Sequence, residues 1–433
     1  MRIVQVTPGS GDNFYCENCI RDITITKELK RQGVEVVMVP LYLPPRLDVG
    51  DTTRGMPVFF GGINVYLQQK FGLFRRTPGW VDRWFNAPGL LNWAAKKAGM
   101  TTARELGETT ASMLRGEHGR QAKELQKLLD WLKEYSPDIL CLSNILLAGL
   151  AGQIREQLKI PVVCLLQDED GFLDSLPEPL REEAWELVRQ RAAEMEAFIA
   201  VSTYYAGVMR ERLSIPAERM HIVYSGIDTA KYAAAAETTE PPVIGFLSRM
   251  CFSKGLDILV DAFIRIKKEQ RLSKARLRIA GGKTSNDEAF IGELQGRLEA
   301  HGCGADAEFL SPFDQQSRIE FLQSLSLMCV PEREGEACGL YLMEALAAGV
   351  PFAQPDNGVS PELRELTGGG ILYSPNDAET LAGKLQKVLL NPQERLRMAR
   401  QGREAAVRLF GAERMAGELL KIYQTAVTHF EGR

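Results

Sequence analysis

Two carboxylates eight positions apart, Glu336 and Glu344, bracket the segment Ala337-Cys338-Gly339-Leu340-Tyr341-Leu342-Met343. Gly339 to Ala348 reads as a helix of good helix formers, closed by Gly349 and Pro351. Leu325 to Pro331 reads as a short buried strand. Glu336 therefore belongs to a strand-to-helix loop, with Glu344 two turns into the helix on nearly the same face. The unpaired N–H groups at such a helix start, near Cys338, Gly339 and Leu340, suit an anion or hydroxyl oxygens. Carboxylates flanking them suit the hydroxyls of a polyhydroxylated ligand. A solvated helix with incidental acids would give the same spacing, so its neighbours have to decide.

The decisive neighbour is Gly245-Phe246-Leu247-Ser248-Arg249-Met250-Cys251-Phe252-Ser253-Lys254-Gly255. An apolar strand, Val243 to Leu247, runs into a loop with two cations and then into an amphipathic helix from Leu256. Arg249 offers a fork and Lys254 a point charge, a pair suited to a diphosphate.

Together these segments resemble the large retaining glycosyltransferase family often called family 4 (glycosyl transferases group 1), of GT-B architecture. Further landmarks follow in family order across roughly residues 200 to 410: Ile222-Val223-Tyr224-Ser225-Gly226-Ile227-Asp228, Ile279-Ala280-Gly281-Gly282, Gly349-Val350-Pro351, Gly358-Val359-Ser360-Pro361-Glu362 and Leu372-Tyr373-Ser374-Pro375-Asn376-Asp377. The resemblance implies an α/β fold of two Rossmann-like, doubly wound domains facing across a cleft. It implies a sugar moved from a nucleoside diphosphate sugar to a hydroxyl acceptor, with retention and without a metal or other cofactor. Arg249 and Lys254 would neutralise the leaving diphosphate. Glu336 would hold the sugar ring and Glu344 the ribose hydroxyls. Gly282, Cys338, Gly339 and Leu340 would complete the donor site, with Gly9 and Gly11 facing the diphosphate from the other domain. The chain departs from the family in having Ala337-Cys338-Gly339 where Gly-Phe-Gly is common, so the sugar pocket has a different shape.

Alternation of apolar runs with helical stretches supports two parallel sheets independently of any resemblance. Strands are expected at 2–6, 34–39, 138–142, 161–166 and 197–201, then at 243–247, 276–280, 307–310, 326–330, 351–354 and 370–373. Residues 1–235 form the expected first domain and 241–409 the second, separated by an Ala-rich linker ending in Pro241-Pro242. By resemblance, a C-terminal helix within 410–433 crosses back onto the first domain.

The acceptor side is less explicit. Asn144 follows one strand, and Gln167-Asp168-Glu169-Asp170 follows the next, at the carboxyl ends where ligands bind in such sheets. Gln167 stands where many family members have a His. Asp168 and Asp170 mimic an Asp-x-Asp metal motif, but the acceptor-orienting reading suits this fold better. Residues 51–118 form an expected insertion mixing aromatics and cations, including Arg75, Arg76, Trp80, Arg83 and Trp84. Trp80 and Trp84 share a face on a helix. They could contact an acceptor sugar or a membrane interface, or simply pack.

The 433-residue chain carries a net charge of −4, which gives no global reason for nucleic-acid binding. Its first residues, Met1-Arg2-Ile3-Val4-Gln5-Val6, read as a strand without the apolar core of a signal peptide. No apolar run approaches bilayer-spanning length. A cytoplasmic enzyme with reduced thiols is the expectation, with peripheral membrane contact through the insertion as an extension of it. Cys16 and Cys19 form a Cys-x-x-Cys pair that could be a redox dithiol or half a zinc site, though no second pair accompanies it. The rival functions are another GT-B enzyme, an epimerase or phosphorylase, and a non-catalytic sugar-nucleotide or redox-sensing protein using Cys16 and Cys19.

Overall fold

The structure, a computed structural model, describes residues 1–8, 17–41, 59–60, 103–232, 240–310 and 315–432. Contacts divide the chain into two compact units. One holds Met1–Asp12, Asn18–Tyr224 and Met415–Arg433, and the other Asn13–Glu17 and Ser225–Arg414.

Unit one is built on a six-stranded parallel sheet of β1 (Arg2–Thr7), β2 (Glu35–Pro40), β3 (Ile139–Leu142), β4 (Val162–Leu166), β5 (Ala197–Ala200) and β6 (Met220–Ile222). The strand order is β2-β1-β3-β4-β5-β6. Every pairing is parallel, and the interior strands are buried along nearly their whole length. The order reverses between β1 and β3, so the loops after those strands open the crevice where such sheets bind ligands. The helix Ala412–Glu431 buries Met415, Ala416, Leu419, Tyr423 and Ala426 against Ile3, Ile25, Ile139, Val163 and Ile199. That spacing is one stripe of a 3.6-residue helix. The Tyr423 hydroxyl reaches the Cys141 sulfur at 3.3 Å.

Unit two repeats the plan with β7 (Val243–Leu247), β8 (Arg276–Ala280), β9 (Ala307–Leu310), β10 (Leu327–Met328), β11 (Phe352–Pro355) and β12 (Gly370–Tyr373). Its order is β12-β11-β10-β7-β8-β9, which reverses between β7 and β10. The helix Leu256–Ile266 follows β7 and buries Leu256, Leu259, Val260 and Phe263. Its outward Asp261 pairs with Arg297 at 2.8 Å.

The doubly wound α/β architecture expected from the alternation is borne out. Two strands differ. β6 was not expected, because Met220-His221-Ile222 is short and only partly buried at the sheet edge. The expected 326–330 strand narrows to Leu327–Met328, although Ser326 and Cys329 still donate to Val243 and Gly245 on β7. Among the described residues, no helix is long and apolar enough to cross a membrane.

Candidate functional site

In unit two the loops after β7 and β10 meet at the switch point, and this is where the chemistry-bearing residues gather. Gly255 ends the first loop at φ +67°, where a Cβ would lie 1.9 Å from the Pro331 carbonyl oxygen. Only glycine lets the two loops approach so closely. Arg333 fastens them from the other side. Its guanidinium donates to Asp257 at 3.0 and 2.8 Å, and its amide donates to the Ser253 carbonyl.

Lys254 is thereby held against two acids. Its Nζ lies 2.6 Å from Glu336 Oε1 and 2.7 Å from Glu332 Oε2. Both carboxylates are buried, while the Lys254 side chain keeps 27% exposure. Burial works against the ammonium, but the Glu336 and Glu332 charges outweigh it and hold its pKa above the usual lysine range. Burial pushes Glu332 up to about 7, against the pull of Lys254. Glu336 is backed by Gly358 at φ +57°, where a Cβ would meet the Glu336 amide nitrogen at 2.5 Å. The next residue, Val359, donates its N–H to the Glu336 carbonyl.

Arg249 does not join this group. It forms a fork to Asp287, with Nε at 3.0 Å from Oδ2 and Nη2 at 3.1 Å from Oδ1, and it also reaches Thr284. Asp287 is held in place by the Thr284 amide and hydroxyl. Burial opposes ionisation of Asp287, but Arg249 and Thr284 win, and its pKa lies below the usual range. The expected Arg–Lys clamp is thus two separate ion pairs. Gly282 lies just past β8, and its carbonyl accepts from the Met250 amide at 2.9 Å.

The helix Leu340–Ala347 begins after Gly339, as the apolar run and its small-residue start imply. Glu344 is 1% exposed. Its Oε1 accepts from the Tyr232 hydroxyl at 2.6 Å and pairs with Arg318 Nη2 at 3.0 Å. Cys338 is buried, with its sulfur 3.3 Å from Ser225 Oγ. Four partners, Glu332 of Lys254, Asp287 of Arg249, and Arg318 and Tyr232 of Glu344, are not singled out by the sequence. Glu332 stands six residues before Cys338 and carries a signal, as an acid closing an apolar strand. Arg318 and Tyr232 carry none.

Unit one gathers a second polar group at its own switch point. The Arg21 guanidinium donates to Gln167 Oε1 at 2.9 Å, to the Ser143 carbonyl at 2.5 Å and to Asp22 Oδ1 at 3.0 Å. Arg21 and Asp22 are 2% and 1% exposed. Thr7 also donates to Asp22, at 3.0 Å. Gln167 is therefore a buried member of a network. Asn144 is largely buried too, and its Oδ1 caps the turn Ile145–Leu150 by accepting from Leu146 N at 3.1 Å. Asp168 is exposed, with φ +59°. Asp170 lies 3.0 Å from the Tyr205 hydroxyl.

Between those two acids, Glu169 turns inward. Its Oε2 accepts from the Gln167 amide at 2.7 Å and lies 2.9 Å from the Tyr205 hydroxyl. Burial pushes its pKa up to about 7, against the hydrogen bond from Tyr205 and the charge of Arg21. A folded-state pKa above the unfolded one favours the fold fully below the unfolded value, and the advantage is lost as pH rises through the folded value. Between pH 4.5 and 7 the wild type should lose roughly 3 kcal/mol from this group alone, at 1.36 kcal/mol per unit. Urea titrations of Glu169→Gln at both pH values should lack that loss. An unchanged pH slope in the variant would show that Glu169 stays ionised.

Gly9, Gly11, Trp80, Trp84 and Cys16 lie outside the described residues, as does most of the expected insertion. Cys19 is disulfide-bonded, which corrects the expectation of reduced thiols throughout. The other six described cysteines are free, five of them buried.

Comparisons with known proteins agree with this layout. Residues 229–405 match the family model described as Glycosyl transferases group 1, and residues 106–231 match that described as Glycosyltransferase Family 4. The chain is 27% identical over 220 residues to the D-inositol 3-phosphate glycosyltransferase of Jonesia denitrificans, covering 48% of this chain and 51% of the relative. It is 30% identical over 210 residues to the phosphatidyl-myo-inositol mannosyltransferase of Mycobacterium tuberculosis, covering 46% and 53%. These matches span about half the length of the curated relatives. Among solved structures, the fold is similar to sucrose-phosphate synthase from Thermosynechococcus elongatus, with TM-score 0.72, 16% identity and 99% of each chain covered. It is also similar to Anabaena HepE in complex with UDP and glucose, with TM-score 0.70, 16% identity and 98% and 99% covered. Two adjoining glycosyltransferase family models thus match residues 106–231 and 229–405, over two parallel, doubly wound sheets of GT-B fold.

Proposed function

We infer that this chain transfers a hexosyl group from a nucleoside diphosphate sugar to a hydroxyl acceptor, with retention of anomeric configuration and without a metal. The observation that carries this reading is the meeting of Lys254, Glu336 and Glu332 at the β7–β10 switch point. Diphosphates bind at such crevices, outside the carboxyl ends of the strands. The Lys254 ammonium would stabilise charge growing on the diphosphate as the glycosidic bond breaks. Glu336 would orient the sugar hydroxyls and Glu344 the ribose. Arg249 would reach the diphosphate by exchanging Asp287 for phosphate oxygens. Retention would follow from attack on the face the diphosphate leaves, with a diphosphate oxygen taking the acceptor proton. No residue on that route needs to act as a nucleophile.

The acceptor is a sugar or a lipid-linked polyol on this reading. The names of the curated relatives make D-inositol 3-phosphate and phosphatidyl-inositol the first acceptors to try. The insertion, with Trp80 and Trp84, would contribute acceptor or peripheral membrane contacts, and Asn144, Gln167 and Asp168 would lie on the acceptor side.

Purified protein incubated with pooled nucleotide sugars and these acceptors should yield a glycoside whose anomeric proton keeps the donor's configuration by NMR. Turnover should survive EDTA, because side chains and backbone N–H groups neutralise the diphosphate. If chelation abolished turnover and Mg²⁺ restored it, the metal-free mechanism would be wrong and Asp168 and Asp170 would return as ligands.

A further inference from the structure

We propose that Glu332 takes up a proton when a nucleoside diphosphate binds, releasing the Lys254 ammonium from one of its two carboxylates so that it can serve the phosphate. The proposal rests on the donor site assigned above and adds a residue and a proton to it.

Geometry sets the problem. One ammonium stands within 2.7 Å of two buried carboxylates, so the ionised group carries one net negative charge. A diphosphate arriving at the exposed side of Lys254 brings further negative charge into the same low-dielectric corner. Like charges there cannot all remain ionised without a large cost.

The other charged and titratable groups nearby offer no relief. Arg333 is committed to Asp257, and Arg249 to Asp287. Tyr341 is buried beside the acids, and its hydroxyl accepts from Gln354 Nε2 at 3.3 Å. Glu334 contributes its amide, 3.5 Å from Glu332 Oε1. Glu17 brings another carboxylate within 4.8 Å of Glu336, and neither it nor Tyr341 nor Glu334 supplies positive charge.

Of the two acids, Glu332 is the more buried. Its carbonyl accepts from Asn357 Nδ2 at 3.0 Å and from Asn376 Nδ2 at 3.1 Å. Glu336 is the acid assigned to the donor sugar, where an ionised acceptor is wanted. Burial already brings Glu332 close to neutrality, with a pKa of about 7. A little added negative potential suffices to protonate it. The proton comes from solvent and forms an O–H bond on the Glu332 carboxyl. Nothing else is transferred. Glu332 is a positioning residue here, acting through Lys254.

The linkage has a defined sign. Diphosphate binding raises the Glu332 pKa, so one proton is taken up at pH values between its free and bound pKa. Over that range, which starts near pH 7, the dissociation constant should rise about tenfold per pH unit. A terminal phosphate with a pKa near 6 is fully ionised above pH 7.5 and does not confuse the count.

The test is calorimetry with UDP and GDP on the full chain between pH 7.5 and 9, in buffers of different ionisation enthalpy. Wild-type protein should take up close to one proton, and Glu332→Gln none, with an affinity independent of pH. Infrared difference spectra of the wild type should show a protonated carboxyl band appearing on nucleotide addition, which decides the matter should the variant fold poorly. Nucleotide binding by the wild type with no proton uptake would overturn the role of Glu332 and leave the donor site standing. Uptake that persists in a folded Glu332→Gln would do the same. Absence of any nucleotide binding by the wild type would instead remove the donor site and this proposal with it.

Discussion

Lys254→Ala should lower kcat/KM by two to three orders of magnitude, the effect of removing one preorganised contact worth roughly 2–4 kcal/mol in the transition state. The structure adds a second consequence. Lys254 is the counter-ion of two buried acids, so its removal strands Glu332 and Glu336. Breaking a buried pair from one side costs more than the pair is worth. The thermal midpoint should therefore fall by roughly 5 °C or more. Lys254→Ala combined with Glu332→Gln should recover part of that stability and none of the activity. Steady-state kinetics on the first variant and melting curves on both settle it. Full activity in Lys254→Ala would remove this lysine from the chemistry, and an unchanged midpoint would mean the two acids accept water in its place.

The largest effect on stability should come from Arg21→Ala. Arg21 is the counter-ion of Asp22 and also holds Gln167 and the Ser143 carbonyl, all deep in unit one. Burial alone raises the Asp22 pKa, and Arg21 is the largest force resisting that. Without it the carboxylate must be protonated or pull water inward. A loss of about 3–5 kcal/mol is the usual outcome of stranding a buried charge. All five Trp lie between residues 80 and 185, so intrinsic fluorescence reports the unfolding of unit one. Arg21→Met with Asp22→Asn should restore most of the loss, since removing both charges is often near neutral. A single-variant loss below about 1 kcal/mol, the scale of an exposed ion pair, would show that the pair is solvated in solution.

The sheets were legible because parallel strands covered on both faces are mostly apolar, and that signal is local. β6 escaped because three half-exposed residues at a sheet edge carry no such pattern. In the site, residue types were legible and partners were not. Lys254 and Glu336 stand out by their loops, yet these two residues, 82 apart in sequence, meet each other and Glu332 only because β7 and β10 lie side by side. Arg249 looked like a free cation because Asp287, 38 residues later, lies beyond any local pattern. Asn144 shows the converse. An Asn ahead of an apolar turn is a cap by ordinary helix chemistry, and that is the bond it makes. Asp168, Glu169 and Asp170 look alike in sequence, but only Glu169 is buried, where it accepts from the Gln167 amide.

The return of the helix Ala412–Glu431 to unit one has a consequence for biosynthesis. Domains ordinarily mature in the order they leave the ribosome. Here the side chains that seal the core of unit one, Met415, Leu419 and Tyr423, are translated after the whole of Ser225–Arg414. Until they arrive, Ile3, Ile139, Val163 and Ile199 lack part of their cover. The second sheet, contiguous in sequence, can assemble while the first is still waiting for its lid. The nascent chain thus inverts the usual sequence of events, and the open first sheet is the surface a chaperone would find.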